Sequence, residues 1–105
     1  MESLRRSRDF KTLFSKGRKF FFPHLKIYFR ENGLQNLRLG IVVRKKFGNA
    51  VMRNRVKRVV RETFRLHPPK KSFDVMVIFK EKSGLDPYEF SPQKFKKMVN
   101  RALRD

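Results

Sequence analysis

The chain has no cysteine, which excludes a disulfide frame, a thiolate zinc site and a cysteine nucleophile together. Acids are scarce: nine against 28 lysines and arginines, for a net charge of +19. Long apolar runs are missing as well. The longest, Val75 to Phe79, is far shorter than the ~20 residues of a spanning helix. The opening residues MESLRRSRDF hold no apolar stretch, so no secretory signal is expected and the expected address is cytoplasmic. No glycine-rich phosphate loop is present, because Gly40 and Gly48 stand alone. The histidines, His24 and His67, are isolated, and no Ser or Cys arrangement surrounds either. Of the acids only Glu81, Asp86 and Glu89 lie near one another, in a loop without metal-ligand spacing. No catalytic residue, metal site or bound cofactor is therefore expected in this polypeptide.

What is present is positive charge on an apolar frame. A domain this basic repels itself unless it meets a polyanion, so nucleic acid is the first partner to consider. A disordered basic tail is excluded by 39% hydrophobic content and 12 phenylalanines. The length of 105 residues suits one domain, residues 1–105, burying roughly two-thirds of its unfolded surface.

Periodicity divides the chain into few elements. Ser7 can cap a short helix carrying Phe10, Leu13 and Phe14 at i, i+3 and i+4, with Gly17 to close it. Phe20-Phe21-Phe22-Pro23 reads as an edge or a bend, since proline cannot donate to a central ladder. From His24 to Arg30 the pattern alternates, with Leu25, Ile27 and Phe29 on one side and His24, Lys26, Tyr28 and Arg30 on the other. Leu37 to Val43 alternates again after the turn residues Glu31-Asn32-Gly33, which predicts a hairpin. Phe73 to Phe79 is apolar nearly throughout and reads as a buried central strand. Ser91-Pro92 begins a last helix, with Phe95, Met98, Val99, Ala102 and Leu103 along one face. The expected order is αββαβα, an α+β sandwich with a small sheet.

The stretch Arg44 to Arg65 dominates the chain. It carries nine bases against one acid, Glu62. Asn49 stands where an N-cap belongs, after Gly48, and from Ala50 onward a helical winding puts Met52, Val56, Val59, Val60 and Thr63 on one arc. Asn54, Lys57, Arg58, Arg61 and Arg65 share the opposite arc. A solvated helix gains stability from mixed signs at i, i+4, whereas these like charges repel and require an external partner. A membrane surface fits poorly, because this helix backs onto Val and Met rather than interfacial Trp, Phe and Leu. DNA fits poorly as well, for want of a helix-turn-helix partner or dimerisation heptads. RNA remains, and Tyr28 could offer a ring on which unpaired bases stack.

The run LRLGIVVRKKFGNAV, Leu37 to Val51, continuing MRNRVKRVVRE to Glu62, resembles the protein subunit of bacterial ribonuclease P, whose signature is an Arg-Asn-Arg helix after a Gly-Asn-Ala turn. The segment DFKTLFSKG, Asp9 to Gly17, is similar to that family's first helix, and the likeness extends over about Ser7 to Leu103. The resemblance implies a partner, the ribonuclease P RNA, which cleaves precursor tRNA with Mg²⁺ and releases the 5′ leader. It implies that Arg53, Asn54, Arg55, Lys57, Arg58 and Arg61 face that RNA, with Arg44, Lys45, Lys46, Asn49 and Arg65 counted in the same surface. It further implies a cleft for the single-stranded leader lined by Phe10, Phe14 and Tyr28, with Lys26 beside them, and a left-handed crossover around the basic helix where the general rule expects a right-handed one. The triple phenylalanine and Pro23 are no part of the family pattern. Two other readings remain at this point, a ribosomal-type protein that only stabilises folded RNA and a stand-alone metal nuclease using Glu81 or Asp86.

Overall fold

A computed structural model describes residues 1–80 and 84–103. The chain runs β1 Glu2–Ser3, α1 Ser7–Lys16, β2 Arg18–Phe21, β3 Leu25–Glu31, β4 Arg38–Val42, α2 Ala50–Leu66, β5 Phe73–Phe79 and α3 Pro92–Leu103, with a 3-10 turn at Lys45–Phe47 before α2. The α+β class and the three helices agree with the sequence pattern. Two short strands, β1 and β2, are additional.

The five strands lie in the order β1-β4-β5-β3-β2. The expected hairpin between the two alternating strands does not form, because β5 lies between them, parallel to β4 and antiparallel to β3. The reason lies in β5 itself. Val75, Val77 and Phe79 point to one side and Met76 to the other, and all four are buried. A strand apolar on both faces loses most by lying at an edge, so it takes the centre, and β3 and β4 become its flanks. The real hairpin is β2–β3, turning at Phe22-Pro23-His24, with Phe20 opposite Ile27 and Phe21 opposite Lys26. Here the edge reading of the triple phenylalanine holds.

One face of the sheet presents Leu25, Ile27, Phe29, Leu39, Val75, Val77 and Phe79 to α2 and α3. The arc of α2 that packs there is wider than the periodicity suggested, taking in Phe64, whose ring meets Phe95 edge-on at 5.8 Å. Phenylalanines 47, 79, 90 and 95 continue as a chain of ring contacts, each about 5.6–5.7 Å between centroids. The second face is covered only in part. There α1 lies over β3 and β5 and buries Leu13 with Leu4 and Met76. Gly17 closes α1 through its N–H to the Leu13 carbonyl at 2.9 Å, in an ordinary extended conformation. Its lack of a side chain matters for space, since a Cβ there would fall 2.4 Å from that carbonyl oxygen. Ser7 is the first helical residue rather than the cap; Arg6 holds the cap position with no side-chain hydrogen bond.

An ion network pins α1 to the sheet. Arg38 on β4 donates from Nε and Nη2 to the two carboxylate oxygens of Asp74 on β5, at 2.7 and 2.6 Å, and from Nη1 to Asp9 of α1 at 3.2 Å. Asn32 donates to Asp74 as well, at 3.0 Å. The hydrogen bond to Asp74 is the main reason the Arg38 pKa is raised, against an opposing effect of burial.

Phe95 is the hinge of the helical layer, fully buried and in ring contact with both Phe64 and Phe90. Phe95→Ala is expected to cost about 3–5 kcal/mol of stability. Urea denaturation monitored by circular dichroism checks this, and a loss below ~1 kcal/mol would show the α2–α3 layer can close over the gap.

Candidate nucleic-acid interface

The basic helix begins as its sequence dictates. The Asn49 side chain accepts from the Met52 N–H at 2.9 Å, satisfying one of the orphan donors of the first turn. Gly48 is extended, and what it provides is room, because a Cβ would sit 3.0 Å from Met52 Sδ. At the far end His67 caps α2, its N–H reaching the Thr63 carbonyl. The proposed RNA-facing residues then fall into three groups. Asn54, Arg58, Arg61 and Arg65 are exposed along one ridge, joined at the N-terminal end by exposed Arg44, Lys45 and Lys46. Among the described residues no ion pair engages Arg58, Arg61 or Arg65. From Arg58 to Arg65 the ridge rises about 10 Å.

Lys57 leans to one side, where it lines, together with Arg61 of the ridge, a cavity of about 390 Å³ against the β1–β4 edge, beside Leu4 and Gly40. The third group is already engaged inside the protein. Arg53 donates to the Gly48 carbonyl at 2.9 Å. Arg55 donates to the carbonyls of Pro87 at 2.8 Å and Tyr88 at 3.3 Å and lies over the Tyr88 ring at 5.4 Å. Arg55 therefore ties α2 to the segment before α3, a partner remote in sequence that helical periodicity could not reveal.

The aromatic residues meet on the opposite side of the sheet. Register places Tyr28, Met76 and Gly40 in one row and Lys26, Ile78 and Val42 in the next, all pointing away from α2. The Phe14 ring stands edge-on to Tyr28 with centroids 5.0 Å apart, and Phe10 packs on the same cluster. Phe14 stays 39% exposed, so it is not a core residue, whereas Phe10 is half-buried and serves packing too. Lys26, Tyr28, Val42 and Ile78 are half-buried, which leaves this strip of sheet accessible beside α1. Sequence reasoning did not single out Lys19, whose Nζ lies 6.0 Å from the Tyr28 ring centre. The only signal for it was the β2–β3 pairing, which the proline at 23 obscured. A single-stranded segment laid on this strip meets rings for its bases and ammonium groups for its phosphates.

Of the residues considered for a metal nuclease, Glu81 lies outside the described residues. Asp86 accepts from the Tyr88 N–H at 2.8 Å, shaping the turn before α3. Among the described residues no three His, Asp or Glu side chains group as metal ligands, and no helix is long and apolar enough to cross a membrane.

Comparison with known proteins agrees in sequence and in shape. The sequence model of the ribonuclease P family matches residues 1–103. The ribonuclease P protein component of Thermotoga maritima is 46% identical over 83 residues, which is 77% of this chain and 71% of that one. That of Fusobacterium nucleatum is 31% identical over an alignment of 107 positions covering 100% of this chain and 96% of its own. Among solved structures, the Thermotoga maritima RNase P protein superposes with a TM-score of 0.79 at 36% identity, over 100% of this chain and 98% of that one. The Staphylococcus aureus RNase P protein gives 0.75 at 27% identity, over 99% and 94% of the two chains.

The grouping of the arginines separates two effects that a charge count would merge. Arg58→Ala is expected to flatten the salt dependence of binding to a structured RNA by about one counterion-release unit while leaving stability nearly unchanged. Arg55→Ala is expected to leave the slope almost intact and to cost about 1–2 kcal/mol of stability through its carbonyl partners. Filter binding across a salt series and parallel urea melts read both; identical slopes for Arg58→Ala and the parent chain would remove that side chain from the interface.

Proposed function

The chain belongs to the ribonuclease P protein family, as the protein subunit of the endonuclease that matures the 5′ ends of tRNA, and from that premise we propose how its two surfaces divide the task. The α2 ridge, with Arg58, Arg61 and Arg65 at its centre, lies against the ribonuclease P RNA. Its cations replace condensed counterions between phosphates that would otherwise repel, and this term is blind to sequence and steep in salt. Lys57, Asn54, Arg44, Lys45 and Lys46 extend the same contact. Asn49, Arg53 and Arg55 serve it chiefly by fixing where the helix starts and how it is held.

The strip on the other face takes the 5′ leader of precursor tRNA. The observation that carries this part is the Phe14–Tyr28 pair, two rings in edge contact on an accessible sheet face with Lys26 and Lys19 around them. One unpaired base stacked on such a ring is worth about 1–3 kcal/mol whatever its identity. Mature tRNA has no leader and gains none of this, so the complex prefers precursor to product.

Bond cleavage belongs in this reading to the RNA and its Mg²⁺, and the protein contributes binding. In support, Asp9 and Asp74 are held by Arg38, and Asp86 is held by the backbone of its own turn. The place of action is the cytoplasm, where precursor tRNA is made.

Two experiments test the scheme. Purified protein alone should leave precursor tRNA intact, and adding the ribonuclease P RNA should restore accurate 5′ cleavage; metal-dependent cleavage by the protein alone, lost on changing Glu81 or Asp86, would sink the division of labour. Phe14→Ala should weaken binding of leader-bearing tRNA by about 1–2 kcal/mol and leave mature tRNA nearly unaffected. Equal losses for both RNAs would instead favour a purely structural RNA-binding role.

A further inference from the structure

The triple phenylalanine at positions 20–22 divides in two. Phe20 stacks on Phe29 at 5.4 Å with rings 19° apart, and Phe22 packs against the same core. Phe21, between them, points to the other face and is 66% exposed. Alternation on a strand explains the direction but not the residue. An edge strand whose outward position needs only to be wet does not call for a large ring, and a bare one there invites unwanted association.

Register shows what Phe21 stands beside. It is paired with Lys26, and two residues back Lys19 is paired with Tyr28. Directly opposed residues of antiparallel strands share a face, so these four form a square on the leader-binding side of the sheet. Rings occupy one diagonal, Tyr28 and Phe21; ammonium groups occupy the other, Lys19 and Lys26. Diagonal neighbours on a sheet lie about 7–8 Å apart, within reach of one step of an extended nucleotide chain. A ring and a cation alternate along both strands, as base and phosphate alternate along single-stranded nucleic acid. Two like charges on one diagonal also resist an apolar protein partner, because a dry interface would bury both without compensation.

We propose that Phe21 is a further leader-binding residue, a stacking platform one nucleotide beyond the Phe14–Tyr28 pair, with Lys19 and Lys26 holding the phosphates on either side of that step. The proposal rests on the leader-binding reading given above and deepens it: the preferred substrate class becomes precursor tRNA whose leader is long enough to pass Tyr28 and reach the β2 edge. Stacking on a ring face is indifferent to base identity, so the selection is for leader length rather than sequence.

The test uses the reconstituted protein–RNA complex and a set of precursor tRNAs whose leaders grow one nucleotide at a time. For the parent protein, affinity should rise in steps, and Phe21→Ala should erase the last step alone, a loss of about 5- to 20-fold confined to the longer leaders. Phe21→Tyr should keep that step, and Phe21→Leu, which retains apolar bulk without a ring face, should lose most of it. A loss that is the same at every leader length, or full affinity in Phe21→Leu, would overturn the proposal. Phe14→Ala measured on the same series tells the two readings apart. If Phe14→Ala weakens binding at all but the shortest leaders while Phe21→Ala changes nothing, the cleft stands and its extension falls; if neither matters, the leader-binding reading itself has failed. Because Phe21 is exposed, unchanged urea melts for its variants are expected and confirm that folding is not what is measured.

Discussion

Strand β5 constrains everything else in this fold. Its side chains are apolar on both faces, so it must lie inside the sheet and must be covered from both sides. Coverage from one side comes from α2 and α3, and from the other by α1. This three-layer arrangement is what separates the cationic ridge of α2 from the ring cluster beside α1. The cationic ridge belongs to the outer side of one layer, and the ring cluster lies on the far face of the sheet beside α1. Neither surface could be moved across the sheet without exposing part of β5.

Charge is arranged with the same economy. The chain has 28 cationic side chains and nine anionic ones. Two of those nine, Asp9 and Asp74, are placed around one arginine, where they fasten α1 to β4 and β5. Among the described residues no acid forms an ion pair with Arg58, Arg61 or Arg65 on the ridge of α2. A folded protein with a net charge of +19 is destabilised by its own repulsion, and a bound polyanion relieves that repulsion. Since RNA held by the native surface stabilises the folded state by mass action, stability and assembly are coupled in this molecule.

The parts of the fold legible in the sequence are those set by local rules. The N-cap at Asn49, the proline start of α3 and the apolar stripes of both helices follow from spacing alone. Strand pairing was not legible in the same way. Turn residues between β3 and β4 suggested a hairpin, yet the apolar character of β5 already required a central position that such a hairpin leaves vacant only if its strands part. Taking the two signals together would have resolved the order. Non-local partners stayed hidden for a plainer reason: nothing in the spacing of Arg55 indicates the carbonyls of Pro87 and Tyr88. As for the ring cluster, periodicity alone reads Phe10 and Phe14 as one packed stripe. Only the resemblance set Phe14 beside Tyr28 and gave the pair a use, and the structure leaves Phe14 partly uncovered there.

The position of β5 between β3 and β4 also orders events in time. Both flanking strands leave the ribosome well before Phe73, and they cannot satisfy each other in the native arrangement because the slot between them is reserved. Until Phe79 has emerged, the nascent chain holds two incomplete ladders and two apolar strand faces, guarded by a high density of like charge that discourages clumping. Closing that slot is a long-range step, so the sheet should be completed only once β5 has emerged rather than piece by piece along the way.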